Sequence, residues 1–370
     1  MKKRNFGKTG EDVSVLGIGG FHLLEIEQKQ VNSVLNRYLE AGGNYIETSS
    51  SYGDGASERK IARAVENRRD EYILATKTDF RRGDKALHDL DQSLINLETD
   101  HVDVWFMHAV QEETDADELL APEGALKAAE KAREQGKIRF IATSGHGQPV
   151  GLLPLLREFP LDAIMVPINY YDRFNFPDVH EKLIPLAKEK GTAVIAMKAV
   201  GDGYLWRSAD KAIRYALAQP VSHIVAGINS MEMLEQDLAV FEEQDPMSDE
   251  EIQKVYEIAP EYRNYVCRQC EKCSVTEDLP LKRIFELEGW YDRQMWDGDI
   301  ANPENFSLRV RLGPWFAQQD LARERYREEG LCDQAETHSG EFPGKCRYRL
   351  NIPRKLKLAH AKLTRGHPEY

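Results

Sequence analysis

Residues Asn44–Glu58, NYIETSSSYGDGASE, read as a strand that delivers an acid and a tyrosine into one space. The run Asn44, Tyr45, Ile46 ends in Glu47 and Thr48, and a turn rich in Ser and Gly then carries Tyr52 before a helix opens around Ser57. Glu47 and Tyr52 are therefore expected at the carboxyl end of a strand. In a barrel of parallel strands that is the end where active sites are built.

Outward from this stretch, strands and helices alternate. Upstream, RNFGKTGEDVSVL over residues 4–16 carries a hairpin signal that edges or plugs a barrel, and Val15–Ile18 give a first strand. That strand ends in Gly19 and Gly20, where missing side chains let a ligand approach the backbone. The helix over 28–41 places Val31, Val34, Leu35, Tyr38 and Leu39 on one face. Further strands are expected at 72–76, 102–107, 138–143, 163–168, 193–197 and 222–226, with a helix after each: 85–97, 122–135, 152–158, 180–190, 210–218 and 231–241. Parallel strands need such crossovers, so the expected fold class is α/β, a (β/α)8 TIM barrel with an N-terminal hairpin. The domains expected are a barrel over residues 1–245 and a C-terminal module over 246–370, opened by the charged linker EEQDPMSDEE.

Composition narrows the function. A net charge of -13 argues against nucleic acid, because no basic stripe is broad enough to displace counterions. No run reaches the ~18 apolar residues of a spanning helix, and MKKRNFGKTG lacks the apolar core of a secretory signal. The reading is a cytoplasmic protein with no membrane partner. None of the five cysteines precedes residue 267, which suits metal ligation near the chain's end better than a disulfide framework.

The early strand ends put Glu47, Tyr52, Lys77 and His108 around one mouth. A tyrosine with an ordinary pKa of about 10 is a weak acid, and an adjacent ammonium favours its phenolate. Lys77 would supply that ammonium, Glu47 would hold Lys77, and His108 could donate to a substrate oxygen. Together they suit proton delivery to a carbonyl oxygen that gains negative charge. His22, His88, His101 and His180 lack such company and are taken as surface or core residues.

The order ETSSSYG, ATK and DVWFMHA resembles the aldo-keto reductase family from about Arg4 to Phe241. The resemblance implies hydride transfer between NADP(H) or NAD(H) and a small-molecule carbonyl or alcohol. Tyr52 would be the general acid, Lys77 its pKa partner, Glu47 the partner of Lys77 in place of the family's Asp, and His108 the carbonyl orienter. It also implies that Ser144 and Asn169 hold the nicotinamide amide, and that Met197, Lys198, Gly227, Asn229, Ser230 and Gln236 face the pyrophosphate and adenosine. Met165 stands where glutamine is commoner. Asn229 replaces a frequent arginine and Asp237 a frequent asparagine, which reduces the positive charge available to a 2'-phosphate.

Cys267, Cys270 and Cys273 form C-x2-C-x2-C, a spacing that wraps three thiolates around one corner of an iron-sulfur cluster. Cys332 and Cys346 are the candidates for a fourth ligand, and a structural zinc with four thiolates is the alternative. The region resembles the ferredoxin-like extension of a subgroup of the same family. Thr276 replaces the last cysteine of the first run, and Arg347 follows Cys346 where Pro is usual. The family's cross-ligation rule then assigns one [4Fe-4S] cluster to Cys267, Cys270, Cys273 and Cys346. Two other readings accompany the enzyme. One is a barrel of little or no turnover that senses nicotinamide redox state; the other is an electron-transfer enzyme whose cluster serves a redox protein partner.

Overall fold

The computed structural model describes residues 1–170, 172–201, 203, 205, 208–243, 245–258, 267, 279–292, 319–337, 346 and 350–365. A hairpin of β1 (Lys3–Asn5) and β2 (Asp12–Ser14) precedes eight strands: β3 (Leu16–Gly19), β4 (Tyr45–Glu47), β5 (Ile73–Thr78), β6 (Val102–Met107), β7 (Ile138–Ser144), β8 (Ala163–Pro167), β9 (Ala193–Met197) and β10 (His223–Gly227). Each of the eight pairs in parallel with its sequence neighbours, and β10 closes on β3. The (β/α)8 barrel is the observed architecture.

Strand pleating sorts the barrel into two layers. Tyr45, Ile73, Ala75, Val104, Phe106, Ala142, Ala163, Met165, Ile195, Met197 and Val225 share the inner cluster. Their neighbours Ile46, Leu74, Trp105, Ile141, Ile164, Val194 and Ile224 pack outward against the helices. Register then carries the inner positions upward: Glu47 lies opposite Ala75, and Lys77 opposite Phe106. Two residues beyond Tyr45, Ala75, Phe106 and Ala142 come Glu47, Lys77, His108 and Ser144. The site residues are therefore the topmost inward positions of the strands that hold the core.

Two helical segments depart from the periodic reading. Residues 122–135, expected as one helix, are preceded by a second, and the pair spans Glu113–Leu120 and Ala125–Glu134 with Pro122 between them. The first buries only Ala116 and Leu119, too few apolar positions to announce a helix by period. The helix expected over 180–190 begins as a π turn over Val179–Leu183 and continues as an α-helix over Ile184–Lys190. Pro185 has no amide hydrogen for the carbonyl four residues back, so that turn cannot form its ordinary bond.

Beyond the barrel, helices Leu281–Asp292, Gln319–Glu328, Leu331–Thr337 and Ile352–Arg365 surround a separate apolar cluster that includes Ile284, Phe285, Tyr326 and Leu356. Glu288 is buried there between Lys355 and Lys362, which lie two turns apart on the last helix; Lys362 Nζ donates at 3.0 Å. Among the described residues no helix is long and apolar enough to cross a membrane.

The floor of the barrel is closed by the hairpin. Phe6 is fully buried, its ring 6.0 Å from Tyr45 and 5.9 Å from His223. Neither ring nitrogen of His223 has a hydrogen-bond partner among the described residues, and burial pushes its pKa down to about 3. Unfolded, the imidazole takes a proton near its ordinary value of about 6.5. The unfolded chain thus binds the proton first, and stability is lost as pH falls from about 6.5 toward 3. Over that window the His223 contribution is expected to be ~1.4 kcal/mol per pH unit. Urea unfolding at a series of pH values checks this: His223→Leu should flatten the acid slope by that amount, and an unchanged slope would clear His223.

Candidate active site

Lys77 is the centre of the upper barrel. It is 2% exposed and Glu47 5%, and the Lys77 Nζ touches the Glu47 carboxylate directly. The same ammonium donates to the Thr48 carbonyl at 2.7 Å and to the Tyr52 hydroxyl at 3.4 Å. Thr48 spends its own N–H on Ala75 of β5 at 2.8 Å, which anchors the end of β4 beside Lys77. Burial pushes the Lys77 ammonium down to about 7 against the upward pull of Asp79. A short turn brings Tyr52 over it, closed by the Tyr52 N–H to the Ser49 carbonyl at 3.0 Å. The phenol ring stands edge-on to Phe21 at 5.1 Å between centroids.

His108 completes the group. Its Nδ1 pairs with the Asp79 carboxylate at 2.7 Å, and its ring centroid lies 6.0 Å from that of Tyr52. A carboxylate accepts only, so Asp79 favours the tautomer with the proton on Nδ1 and leaves Nε2 as the nitrogen that can act on a ligand. Arg81 braces the turn that follows, donating to the carbonyls of His108 at 2.8 Å and Ala109 at 3.1 Å. The structure thus brings Glu47, Tyr52, Lys77 and His108 together.

These residues line one side of a cavity of about 1130 Å³. Its other walls include Gly19, Ser144, Met165, Met197, Lys198, Gly227, Asn229, Ser230 and Gln236. Ser144 Oγ accepts the Ala109 N–H at 3.0 Å, and Ser230 Oγ accepts the Met233 N–H at 3.1 Å, capping the helix Met231–Glu243. Lys198 holds a left-handed backbone, φ 56°, directly after β9. Asp237 also lines the cavity, where burial pushes its carboxyl up to about 7.

Two expected residues sit elsewhere. Gly20 is not among the lining residues; a Cβ there would lie 2.6 Å from Ser57 Oγ and 2.8 Å from the Glu47 carbonyl, so close packing rather than a ligand requires glycine. Asn169 is fully buried, its amide nitrogen donating to Asp172 at 2.8 Å and to the Lys198 carbonyl at 3.1 Å. Its visible work is to hold the loops after β8 and β9.

The sequence reading missed several residues. His22, set aside as surface or core, lines the cavity and pairs through Nδ1 with the fully buried Glu25 at 2.7 Å. Its ring lies where a Cβ on Gly227 would fall, 2.1 Å from Cδ2, so Gly227 makes room for it. Glu25 accepts from Asn229 as well, at 2.6 Å. His146, in the loop after β7, stands 6.2 Å from His108 between ring centroids. Only Asp79 carried a readable signal, since it follows Lys77 by two and shares its side of the strand.

In the C-terminal module, Cys267, Cys332 and Cys346 are half-buried against one apolar cluster. Cys270 and Cys273 lie outside the described residues. Among the described residues no group of three or more His, Cys, Asp or Glu side chains is arranged to hold a metal ion.

Comparison with known proteins places the barrel. The model of the aldo/keto reductase family matches residues 15–211. The uncharacterized oxidoreductase YqkF of Bacillus subtilis is 29% identical over 217 residues, covering 55% of this chain and 67% of its own length. The aldo-keto reductase YhdN of the same organism is 26% identical over 223 residues, 55% of this chain and 64% of its own. The chain thus spans about two thirds of the length of these curated relatives. Among solved structures, the holo form of an aldo-keto reductase from Bacillus halodurans superposes with a TM-score of 0.61 at 24% identity, over 70% of this chain and 96% of that one.

The buried pair has a measurable consequence. Glu47→Ala leaves an uncompensated ammonium inside the barrel and is expected to cost about 3–5 kcal/mol, whereas a Glu47→Leu, Lys77→Met double variant should cost much less. Urea unfolding of Glu47→Leu, of Lys77→Met and of the double variant reads this out. Losses that simply add would mean that the two groups do not act as a pair.

Proposed function

Because the chain belongs to the aldo/keto reductase family, we propose that it is a nicotinamide-dependent oxidoreductase that interconverts a small-molecule carbonyl and an alcohol by hydride transfer. The observation that carries this reading is Lys77 Nζ, in contact with the Glu47 carboxylate and 3.4 Å from the Tyr52 hydroxyl at the buried end of a large cavity. A dinucleotide held in this cavity would supply or accept the hydride. The fit is supported by the cavity's size, its Met165 and Met197 floor, and polar groups on its remaining walls.

The chain's own residues handle the proton. In reduction, the Tyr52 hydroxyl gives its proton to the substrate oxygen as negative charge develops there. The Lys77 ammonium stabilises the phenolate left behind, and Glu47 with the Thr48 carbonyl holds that ammonium in place. As the imidazolium, with its Nδ1–H held by Asp79, His108 can also donate from Nε2 to the same oxygen. In the oxidative direction the phenolate takes the alcohol's proton back.

Tyr52→Phe is expected to lower carbonyl turnover by roughly 10²–10⁴-fold while dinucleotide binding persists. Steady-state kinetics with a panel of aldehydes and ketones, beside a fluorescence titration of the cofactor, check the two halves. Equal turnover by the variant would remove Tyr52 from the chemistry.

A second assignment concerns the C-terminal module. Three half-buried thiols on one apolar cluster suit soft metal ligation, and Cys270 and Cys273 follow Cys267 by three and six residues to complete the first run. The reading is a [4Fe-4S] cluster on Cys267, Cys270, Cys273 and either Cys346 or Cys332; if it passes electrons, a redox protein partner is implied. Anaerobically purified protein is expected to carry about four iron and four sulfide per chain and to lose them with Cys270→Ala. One zinc per chain without sulfide would replace the cluster with a structural site.

A further inference from the structure

The cavity also bears on which dinucleotide it takes, an inference that rests on the nicotinamide reading above. A dinucleotide with its nicotinamide beside Tyr52, Lys77 and His108 would extend its adenosine half toward the far wall, built from the loop after β10 and the helix Met231–Glu243. The cavity-lining polar groups of that wall are Asn229, Ser230, Glu232, Gln236 and Asp237. Among the described residues of this wall none is arginine or lysine. The cavity's lysines, Lys77 and Lys198, stand at the ends of β5 and β9.

Glu25 decides what Asn229 offers. Glu25 is fully buried and, as a carboxylate, can only accept, so the amide nitrogen of Asn229 has to face it, at 2.6 Å. The amide oxygen is what remains. Asn229 is 5% exposed, and its Oδ1 is buried without a hydrogen-bond partner among the described residues. An orphan acceptor on the same wall as the Glu232 and Asp237 carboxyls calls for hydrogen-bond donors from the ligand. A ribose 2'-hydroxyl can donate. A 2'-phosphate brings close to two negative charges and strong acceptor oxygens, so it would leave Oδ1 unpaired and face carboxylates of its own sign.

We infer that the site selects NAD(H) over NADP(H), with Asn229, oriented by Glu25, as the determinant of that choice. The assignment follows the general logic by which an acidic wall pairs with a free ribose hydroxyl and an arginine accommodates the phosphate.

Equilibrium titrations of the full chain with NADH and NADPH, followed by nicotinamide fluorescence with no carbonyl present, test it. They are run at pH 8, above the value of about 7 to which burial pushes Asp237. NADH is expected to bind at least ~10-fold more tightly, and Asn229→Arg, which adds a cation to that wall, to strengthen NADPH binding by about 10-fold. Circular dichroism confirms that the variant is folded, and Asn229→Gln serves as a second variant that adds no charge and should leave NADPH weak. NADPH binding as tight as NADH in the unaltered chain overturns the selection and leaves the oxidoreductase reading standing. Unchanged discrimination in folded Asn229→Arg removes Asn229 as its determinant. Binding of neither dinucleotide takes down both this inference and the reading on which it rests.

Discussion

An ammonium taken out of water has to be compensated where it is buried, and the upper barrel is arranged around that requirement at Lys77. The effective penalty for burying an ion is still several kcal/mol after relaxation, so a lysine 2% exposed cannot stand alone. Parallel pairing sets β4 and β5 side by side about 4.8 Å apart. Their register puts Glu47 and Lys77 on the same inward face, and the Thr48 carbonyl at the end of β4 supplies a second acceptor. The Tyr52 phenol takes what is left of the ammonium's hydrogen-bonding capacity. The proposed proton donor is thus placed by the same contacts that make the burial tolerable.

Carboxylates recur behind the other groups that face the cavity. Asp79 holds His108, Glu25 holds both His22 and Asn229, and Glu47 holds Lys77. For His108, His22 and Asn229 an acceptor that cannot donate fixes which atom of its partner is left for a ligand, and for Lys77 it fixes where the one ammonium sits. This is orientation by exclusion. It works because Glu25 and Glu47 are themselves buried, where an unpaired charge is costly and the partners are therefore held.

The C-terminal module follows a related rule with different parts. Glu288 is buried between Lys355 and Lys362, so one carboxylate ties the helix Leu281–Asp292 to the last helix. The apolar cluster that these helices enclose is the one against which Cys267, Cys332 and Cys346 lie. Thiols from distant parts of the sequence therefore share a neighbourhood created by helix packing, not by the spacing of the first cysteine run.

What the sequence by itself determined was whatever depends on local period and order. Alternating apolar residues located the strands to within a residue or two, the polar residue ending each strand marked the mouth, and Glu47, Tyr52, Lys77 and His108 were legible because each occupies the next inward position after a core residue or the turn just beyond it. Tertiary structure decided what depends on which side chains meet. Asn169 and Gly20 stand near the mouth in sequence, yet packing turned one to bracing loops and required the other for close approach. His22 looked solitary until folding brought Glu25 to its Nδ1 and the open space over Gly227 to its ring. Asn229 could be named from its place after β10. The atom that it has left to offer was settled only by a buried carboxylate some two hundred residues away in the chain, because hydrogen-bond direction belongs to the pair and not to either residue.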